Sequence, residues 1–286
     1  MTYTGPGDLQ TFAGWWGLRA YSGATAGNPC AVVAATRGGA TTIINTLANG
    51  NFDSVSANTA MGGNTGFVSQ LYDQTGNGFH LTQSTSGNWP AITLNVLQGG
   101  TLPILLMPNV IFSTNYGFAN ATFTAGSAGY SCYSVGKLIS WTTGSGNGPW
   151  MIDNNGHGFA IPADAQMALW YTGFSPAGGA PITFTDNVYH RVFMVDNGAS
   201  PNSFYSLDGT QTTFTGDTTS TWGAGGAGLN LGGNGNTSLD MLELGVSAST
   251  FNSSQVTALD SNANSYWLVA AAAASPFANS MTLMMM

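Results

Sequence analysis

Charge is scarce in this sequence. Only 6% of its 286 residues are charged, four Lys+Arg against twelve Asp+Glu, where an ordinary soluble domain carries about 25%. The four cations, Arg19, Arg37, Lys137 and Arg191, are scattered and too few to neutralise a run of phosphates, which excludes nucleic acid as a partner. Glu243 is the one glutamate, so long helices laced with Glu–Lys pairs are excluded as well. Cysteine is almost absent. Cys30 and Cys132 lie far apart without metal-ligand spacing and read as two buried, unbridged thiols. No stretch approaches the ~20 apolar residues of a membrane span. The opening Met1-Thr2-Tyr3-Thr4-Gly5-Pro6-Gly7 has neither the basic start nor the apolar run of a secretory signal. The expectation is a protein made in the cytoplasm without a signal peptide.

What is abundant excludes disorder. The chain is 43% hydrophobic and 12% aromatic, with 40 glycines, the reverse of the aromatic-poor, charge-rich composition of disordered chains. Its solubilising surface must be Ser, Thr, Asn, Gln and Gly. The net charge of −8 comes from isolated aspartates and favours solubility rather than a charged partner. At this length one all-β domain with a sizeable core is the ordinary outcome.

Short apolar or alternating runs recur between Gly/Asn/Ser/Asp turns, as a sandwich requires. Strands are expected at 31–36 and 41–44 around the turn Arg37-Gly38-Gly39-Ala40, and at 67–72 before a turn-rich segment. Further strands are expected at 104–107, 130–139, 150–153, 167–171, 188–195, 203–207, 228–231 and 241–246. Tyr189, Arg191, Phe193 and Val195 alternate with His190, Val192 and Met194, so both faces of that strand are largely apolar, which suits an inner strand. Helix signals are confined to 54–61 and 252–267, the latter with Val256, Leu259, Ala263 and Trp267 at helical spacing. The division expected is an arm at 1–14, a sandwich at 15–267 and an apolar Ala/Met-rich tail at 268–286. The tail is expected either to be disordered or pack on its own domain, or to dock on a neighbouring subunit.

Several segments then combine. Leu71-Tyr72-Asp73-Gln74-Thr75-Gly76-Asn77-Gly78-Phe79-His80-Leu81-Thr82-Gln83 resembles a segment of concanavalin A-like sandwich domains. Its nearest form is that of the arabinofuranosidase B catalytic domain and related bacterial and phage proteins. Ala20-Tyr21-Ser22, Asn28-Pro29-Cys30-Ala31-Val32 and Trp89-Pro90-Ala91-Ile92 resemble the flanks of that segment. Tyr189-His190-Arg191-Val192 with Tyr205-Ser206-Leu207-Asp208-Gly209 is similar to a laminin G-like strand pair. Leu242-Glu243-Leu244-Gly245-Val246, Phe251 and the following helix resemble the closing elements. The resemblance covers about 15–267 and implies an all-β fold: an antiparallel jelly-roll β-sandwich with one short C-terminal helix. Within the first segment, Asp73 and Asn77 suit local backbone hydrogen bonds, and Gly76 and Gly78 supply positive φ, the makings of a structural turn.

A retaining glycosidase needs two carboxyl groups roughly 5–5.5 Å apart. The resemblance implies a nucleophilic Glu near Asn154-Asn155-Gly156-His157-Gly158-Phe159-Ala160, where none stands, and an acid/base Asp where Gly232-Gly233-Asn234-Gly235-Asn236 places an amide. An amide neither donates nor takes a proton at neutral pH. Asp240 and Glu243, three apart on a strand, are expected on opposite faces, which argues against a replacement pair. The expectation is a protein that is not an enzyme, has no cofactor and has no metal. For calcium, oxygen ligands could come from Asp153, Asn154 and Asn155, or from Asp73 and Asn77. His80, His157 and His190 stand singly and read as satisfied core or turn histidines.

Trp150, Asp153, Asn155, His157, Trp170 and Tyr171 are the residue types that bind sugars, an aromatic face beside amides and carboxylates. Asn234 and Asn236 join them through the resemblance. For Trp150 and Trp170 the alternative is core packing. The opening Gly5-Pro6-Gly7-Asp8 with Trp15-Trp16-Gly17-Leu18-Arg19-Ala20-Tyr21 resembles the starts of phage and prophage proteins carrying this sandwich. That implies a non-catalytic virion surface protein, a capsid decoration or fibre-like protein. It would be homo-oligomeric, with capsid or other virion subunits as partners and cell-surface glycans as a further one. The alternatives are a secreted carbohydrate-binding module and a divergent arabinofuranosidase-like hydrolase.

Overall fold

The computed structural model describes residues 2–63, 65–97, 102–107, 118–124, 129–141, 148–153, 158–161, 166–171, 175–176, 182–183, 188–197, 203–214, 228–231 and 237–268. The strands form two antiparallel sheets. In the first, the closing strand Thr237–Ser247 pairs with Tyr130–Trp141, followed outward by Tyr189–Asp196, Ser203–Leu207 and Thr210–Phe214. The other flank of the closing strand is shared end to end by Gly14–Gly17 and Leu102–Met107.

The second sheet runs from Thr41–Asn45 through Pro29–Ala34, Gly66–Leu71, Leu81–Thr82, Phe118–Asn120 and Leu229–Leu231. It continues through Gly148–Asp153 and Gly158–Ile161 to Gln166–Tyr171. The hairpin of Ala91–Leu97 and Leu102–Met107 crosses between the sheets, one strand pairing with Gly66–Leu71 and the other with the closing strand.

The first sheet is covered on both sides. Successive strand residues point to opposite faces, and Trp15 and Trp16 use this to enter two different layers. Trp16 lies in the row Trp16–Leu244–Ser134–Val192. It meets Phe123 and donates its indole N–H to the Phe79 carbonyl, in the space between the sheets. Trp15 lies in the row Trp15–Gly245–Tyr133–Phe193 and stacks on Tyr133 at 5.2 Å, with Phe12 beside it and Phe251 packed on Phe12. A Cβ at Gly245 would stand 2.6 Å from the Phe12 and Trp15 rings, so glycine is what lets them lie flat on the strand.

The helix Ser253–Ala263 closes this outer layer with Val256, Leu259 and Ala263 buried, and continues as a π-type turn at Asn264–Leu268. It starts at a capping box in which Asn252 Oδ1 accepts from Gln255 N and Gln255 Oε1 accepts from Asn252 N. Two covered faces explain why nearly all of Tyr189–Asp196 is buried.

Residues 2–14, expected as an arm, lie along the sandwich. Pro6–Leu9 forms a short helix, and Phe12 is buried. Asn262 Nδ2 donates to the Thr4 carbonyl and Ser247 Oγ to the Thr11 carbonyl. The second expected helix is Ser54–Ala60, capped by Asp53. Cys30 and Cys132 are buried and not joined in a disulfide. Of the expected tail, residues 269–286 lie outside the described residues.

Candidate functional site

The segment that carries the resemblance most specifically grips the first strand. Asp73 Oδ1 accepts from Trp15 N at 3.3 Å, Thr75 N at 3.0 Å and Thr75 Oγ1 at 2.7 Å, while Oδ2 accepts from Phe79 N at 3.1 Å. Gln74 Nε2 donates to the carbonyls of Gly17 and Arg19, both at 3.0 Å, and its Oε1 accepts from Tyr21 N at 3.0 Å. Asn77 Nδ2 donates to the Ala13 carbonyl at 2.9 Å. Gly76 and Gly78 take φ of 90° and 80°, the left-handed region where glycine is favoured. Four donors already occupy the Asp73 oxygens, which is poor provision for a cation. Among the described residues no group of three His, Cys, Asp or Glu stands together.

Several charged side chains are turned inward. Glu243 and Arg19 are both 0% exposed. Arg19 Nη2 donates to Glu243 Oε1 at 2.8 Å and Nε donates to Oε2; Tyr133 donates its hydroxyl to the same carboxylate. Burial, reinforced by Glu243, pushes the Tyr133 phenol well above its ordinary value. Asn262 and the Tyr266 ring complete the surroundings of Arg19. Farther along the same strand, buried Asp240 accepts from Tyr189 Oη at 2.8 Å and pairs with Lys137 Nζ at 2.8 Å. Arg191 Nε donates to Asp260 at 2.8 Å, and His190 Nδ1 meets Asp208 at 2.6 Å. Asp8 and Asp53 hold backbone N–H groups at helix starts, and Asp196 accepts from Ser203 Oγ at 3.4 Å.

Asp240 and Glu243 do not stand on the opposite faces that their spacing predicts. The ladder pairs Asp240 with Lys137, Met241 with Gly136 and Glu243 with Val135. Leu242 is thus the extra residue of a bulge, which reverses the alternation beyond it. Asp240 and Glu243 therefore share one side of the sheet instead of occupying opposite faces. Each is engaged by its own cation and its own tyrosine.

The candidate sugar-binding residues divide between described and undescribed parts. Trp150 and Asp153 stand on Gly148–Asp153, and Trp170 and Tyr171 on Gln166–Tyr171, both described through their backbone. Asn155, His157, Asn234 and Asn236 lie outside the described residues. The register brings the two tryptophan-bearing strands close. Trp170 pairs with Gly158, which pairs with Ile152, so the strands are two steps or about 10 Å apart. Trp150 sits at a register shift between Pro149 and Met151.

The same row continues from Ile152 through Asn230, Ala119, Thr82 and Gln70 to Val32. Thr82 and Ala119 are exposed, and Gln70 and Val32 are half-buried. No charged residue stands in it. Only pairing across the sheet assembles this row, and no local pattern announces it.

No family model matches the chain, and no curated protein matches it. Among solved structures, a GH54 α-L-arabinofuranosidase soaked with a cyclic sulfate inhibitor is similar at a TM-score of 0.66 and 17% identity, over 91% of this chain and 64% of that one. An arabinofuranosidase complexed with arabinofuranosyl-α-1,2-xylobiose is similar at 0.64, with the same identity and coverage. This chain thus spans less than two thirds of their length. At that identity the likeness shows the fold, an all-β sandwich with a short C-terminal helix.

Proposed function

We propose that this chain is a non-catalytic β-sandwich that binds uncharged carbohydrate on its second sheet. The observation that carries the reading is the placement of Glu243. The sole glutamate is sealed in the outer layer against Arg19 and Tyr133, where it meets neither solvent nor substrate. Every other carboxylate whose side chain is described accepts a structural hydrogen bond. The fold it shares with arabinofuranosidases is therefore kept here without a described acid/base pair. The charge-free row from Trp170 to Gln70 offers hydroxyl and amide groups along a sheet that also carries Trp150. Such a surface suits sugar rings stacked on an aromatic face.

A glycan array followed by calorimetry with arabinoxylan oligosaccharides tests the binding, and 4-nitrophenyl α-L-arabinofuranoside tests turnover. Binding without turnover is expected, lost in Trp170→Ala. An array without reproducible hits would sink the binding reading; turnover abolished by Asp153→Asn would sink the non-catalytic one.

The inward charges favour a setting for this module, namely display on a virion. Arg19, Lys137 and Arg191 are all used in ion pairs within the fold, so these three cations add little to a surface already poor in charge by composition. Such a surface has little ion desolvation to overcome when it packs on a neighbour. Co-sedimentation with purified particles is the expected outcome. A protein found only in the soluble fraction of a particle-producing culture overturns this setting and leaves the binding reading standing.

A further inference from the structure

We propose that the strand Thr41–Asn45 is a self-association edge, through which two copies of this chain join their second sheets around a two-fold axis. Among the described residues this strand is paired on one side only, with Pro29–Ala34. Thr46 N donates inward to the Asn28 carbonyl at 2.9 Å. By alternation Ile44 and Thr42 also bond inward, and the N–H and C=O groups of Thr41, Ile43 and Asn45 point outward. At the far end the chain covers its own edge: Asp53 N donates to the Asn45 carbonyl at 3.1 Å, and Thr46 bridges to Phe52. Among the described residues the outward groups of Thr41 and Ile43 are left open.

The ladder to Pro29–Ala34 shifts register only at the Asn45 end, between Pro29 and Ala31, and leaves Thr41–Ile43 in regular pairing. Edge strands of monomeric proteins are commonly guarded by lysine, proline, a bulge or a covering element, yet no charged residue or proline stands between Arg37 and Asp53. Ile43 is 55%, Leu47 42% and Val55 79% exposed. Three of the five exposed large hydrophobic residues among the described ones thus lie on this strand, two residues past its end and on the helix that follows.

The open groups fit a second copy. Antiparallel pairing centred on Thr42 sets Thr41 opposite Ile43 of the partner copy, and Ile43 opposite its Thr41. Each such pair exchanges both backbone hydrogen bonds, so the outward groups of Thr41 and Ile43 are satisfied on both edges. Thr42 then faces its own counterpart, a favourable cross-strand pair, and no like charges are brought together. The contact is isologous and closes at two copies. A short ladder buries less than the ~1,200 Å² at which specific stable interfaces begin, so association is weak in dilute solution and gains where copies are arrayed. The edge lies at the opposite end of the sheet from Gln166–Tyr171, so this inference does not rest on the carbohydrate reading.

Sedimentation velocity over a concentration series into the millimolar range tests it. The intact chain should pass from monomer to dimer. Ile43→Lys, which places a charge on the edge, and Thr41→Pro, which removes an outward N–H and leaves the inward ladder intact, should both remain monomeric. Val188→Lys, at an exposed apolar residue elsewhere, should dimerise like the parent. Amide exchange of the unmodified chain gives a readout that needs no variant: protection at Thr41 and Ile43 should rise with concentration. A parent monomeric throughout, a dimer that survives both edge variants, or protection at these amides independent of concentration overturns the proposal.

Discussion

Arg19 and Glu243 stand 224 residues apart and meet in a fully buried two-point ion pair, with Nη2 donating to Oε1 at 2.8 Å and Nε to Oε2. The pair ties the end of the first strand to the middle of the last. Gly17 makes room for it, since a Cβ there would stand 2.8 Å from the Glu243 Cβ. Breaking one side of such a pair strands a charge without water, at a cost of about 3–5 kcal/mol. Glu243→Gln should lose that much stability in a denaturant titration. Replacing both partners with apolar residues, Arg19→Met with Glu243→Leu, should cost less than the single change. A Glu243→Gln protein as stable as the parent would show that the pair is not what closes the sheet.

Gln74 closes the fold by a different means, with hydrogen bonds to three backbone groups of 17–21. Truncating it leaves those groups buried and unpaired, each at about 1–3 kcal/mol. Gln74→Ala should therefore destabilise by about 3 kcal/mol or more and speed exchange at the Tyr21 amide first. If that amide kept its protection, the clamp would be redundant.

The legible parts of the fold are those whose signal is local. The helix at the C-terminal end is legible in the helical spacing of Val256, Leu259, Ala263 and Trp267. The strand Tyr189–Asp196, apolar on both faces, read as an inner strand and is one. Gly14–Gly17 escaped notice because Gly-Trp-Trp-Gly is buried on every residue and so shows no alternation. Thr210–Phe214 and Gly158–Ile161 were hidden by polar and glycine-led composition. The bulge at Leu242 is a property of pairing with Tyr130–Trp141, so no inspection of one strand could place Asp240 and Glu243 on the same side. The row across the second sheet is non-local in the same way. Trp150, Trp170 and Tyr171 are candidates by residue type, and only their strands, not their mutual approach, follow from local sequence.

Buried phenols give the fold an alkaline limit. Tyr3 donates to the Ala20 carbonyl at 2.6 Å. Burial pushes its phenol up to about 12, with Arg19 pulling it down and Glu243 raising it again. Burial likewise raises Tyr133, Tyr189 and Tyr266 above the ordinary value. A pKa raised in the folded state contributes stability that is whole below the unfolded value of about 10 and is lost as pH rises through the folded value. Unfolding should therefore set in between pH 10 and about 12. Phenolate absorbance of these residues should appear together with loss of near-ultraviolet dichroism. Titration of all ten tyrosines near pH 10 in a still-folded protein would contradict the burial assigned to them.

At the acid end, two aspartates around Arg191 pull in opposite directions. Burial alone would raise the Asp208 carboxyl, but hydrogen bonds from His190 and from Arg191 N at 2.9 Å outweigh it and hold Asp208 below the usual carboxylate range. Its contribution to stability is present above the unfolded value of about 4 and is lost as pH falls through the lower folded value. For Asp260 burial prevails over its bond to Arg191, and the carboxyl is raised. That contribution is whole below about 4 and is lost as pH rises through the folded value. Asp208 also occupies the left-handed region at φ 50°, beside Gly209 at φ 87° in a hairpin turn. Asparagine tolerates that conformation, so Asp208→Asn tests the charge and spares the turn. Stability measured against pH should lose less in acid for Asp208→Asn than for the parent. It should lose less on raising pH through the carboxylate range for Asp260→Asn. Parallel profiles for parent and both variants would mean that neither carboxyl changes its proton affinity on folding.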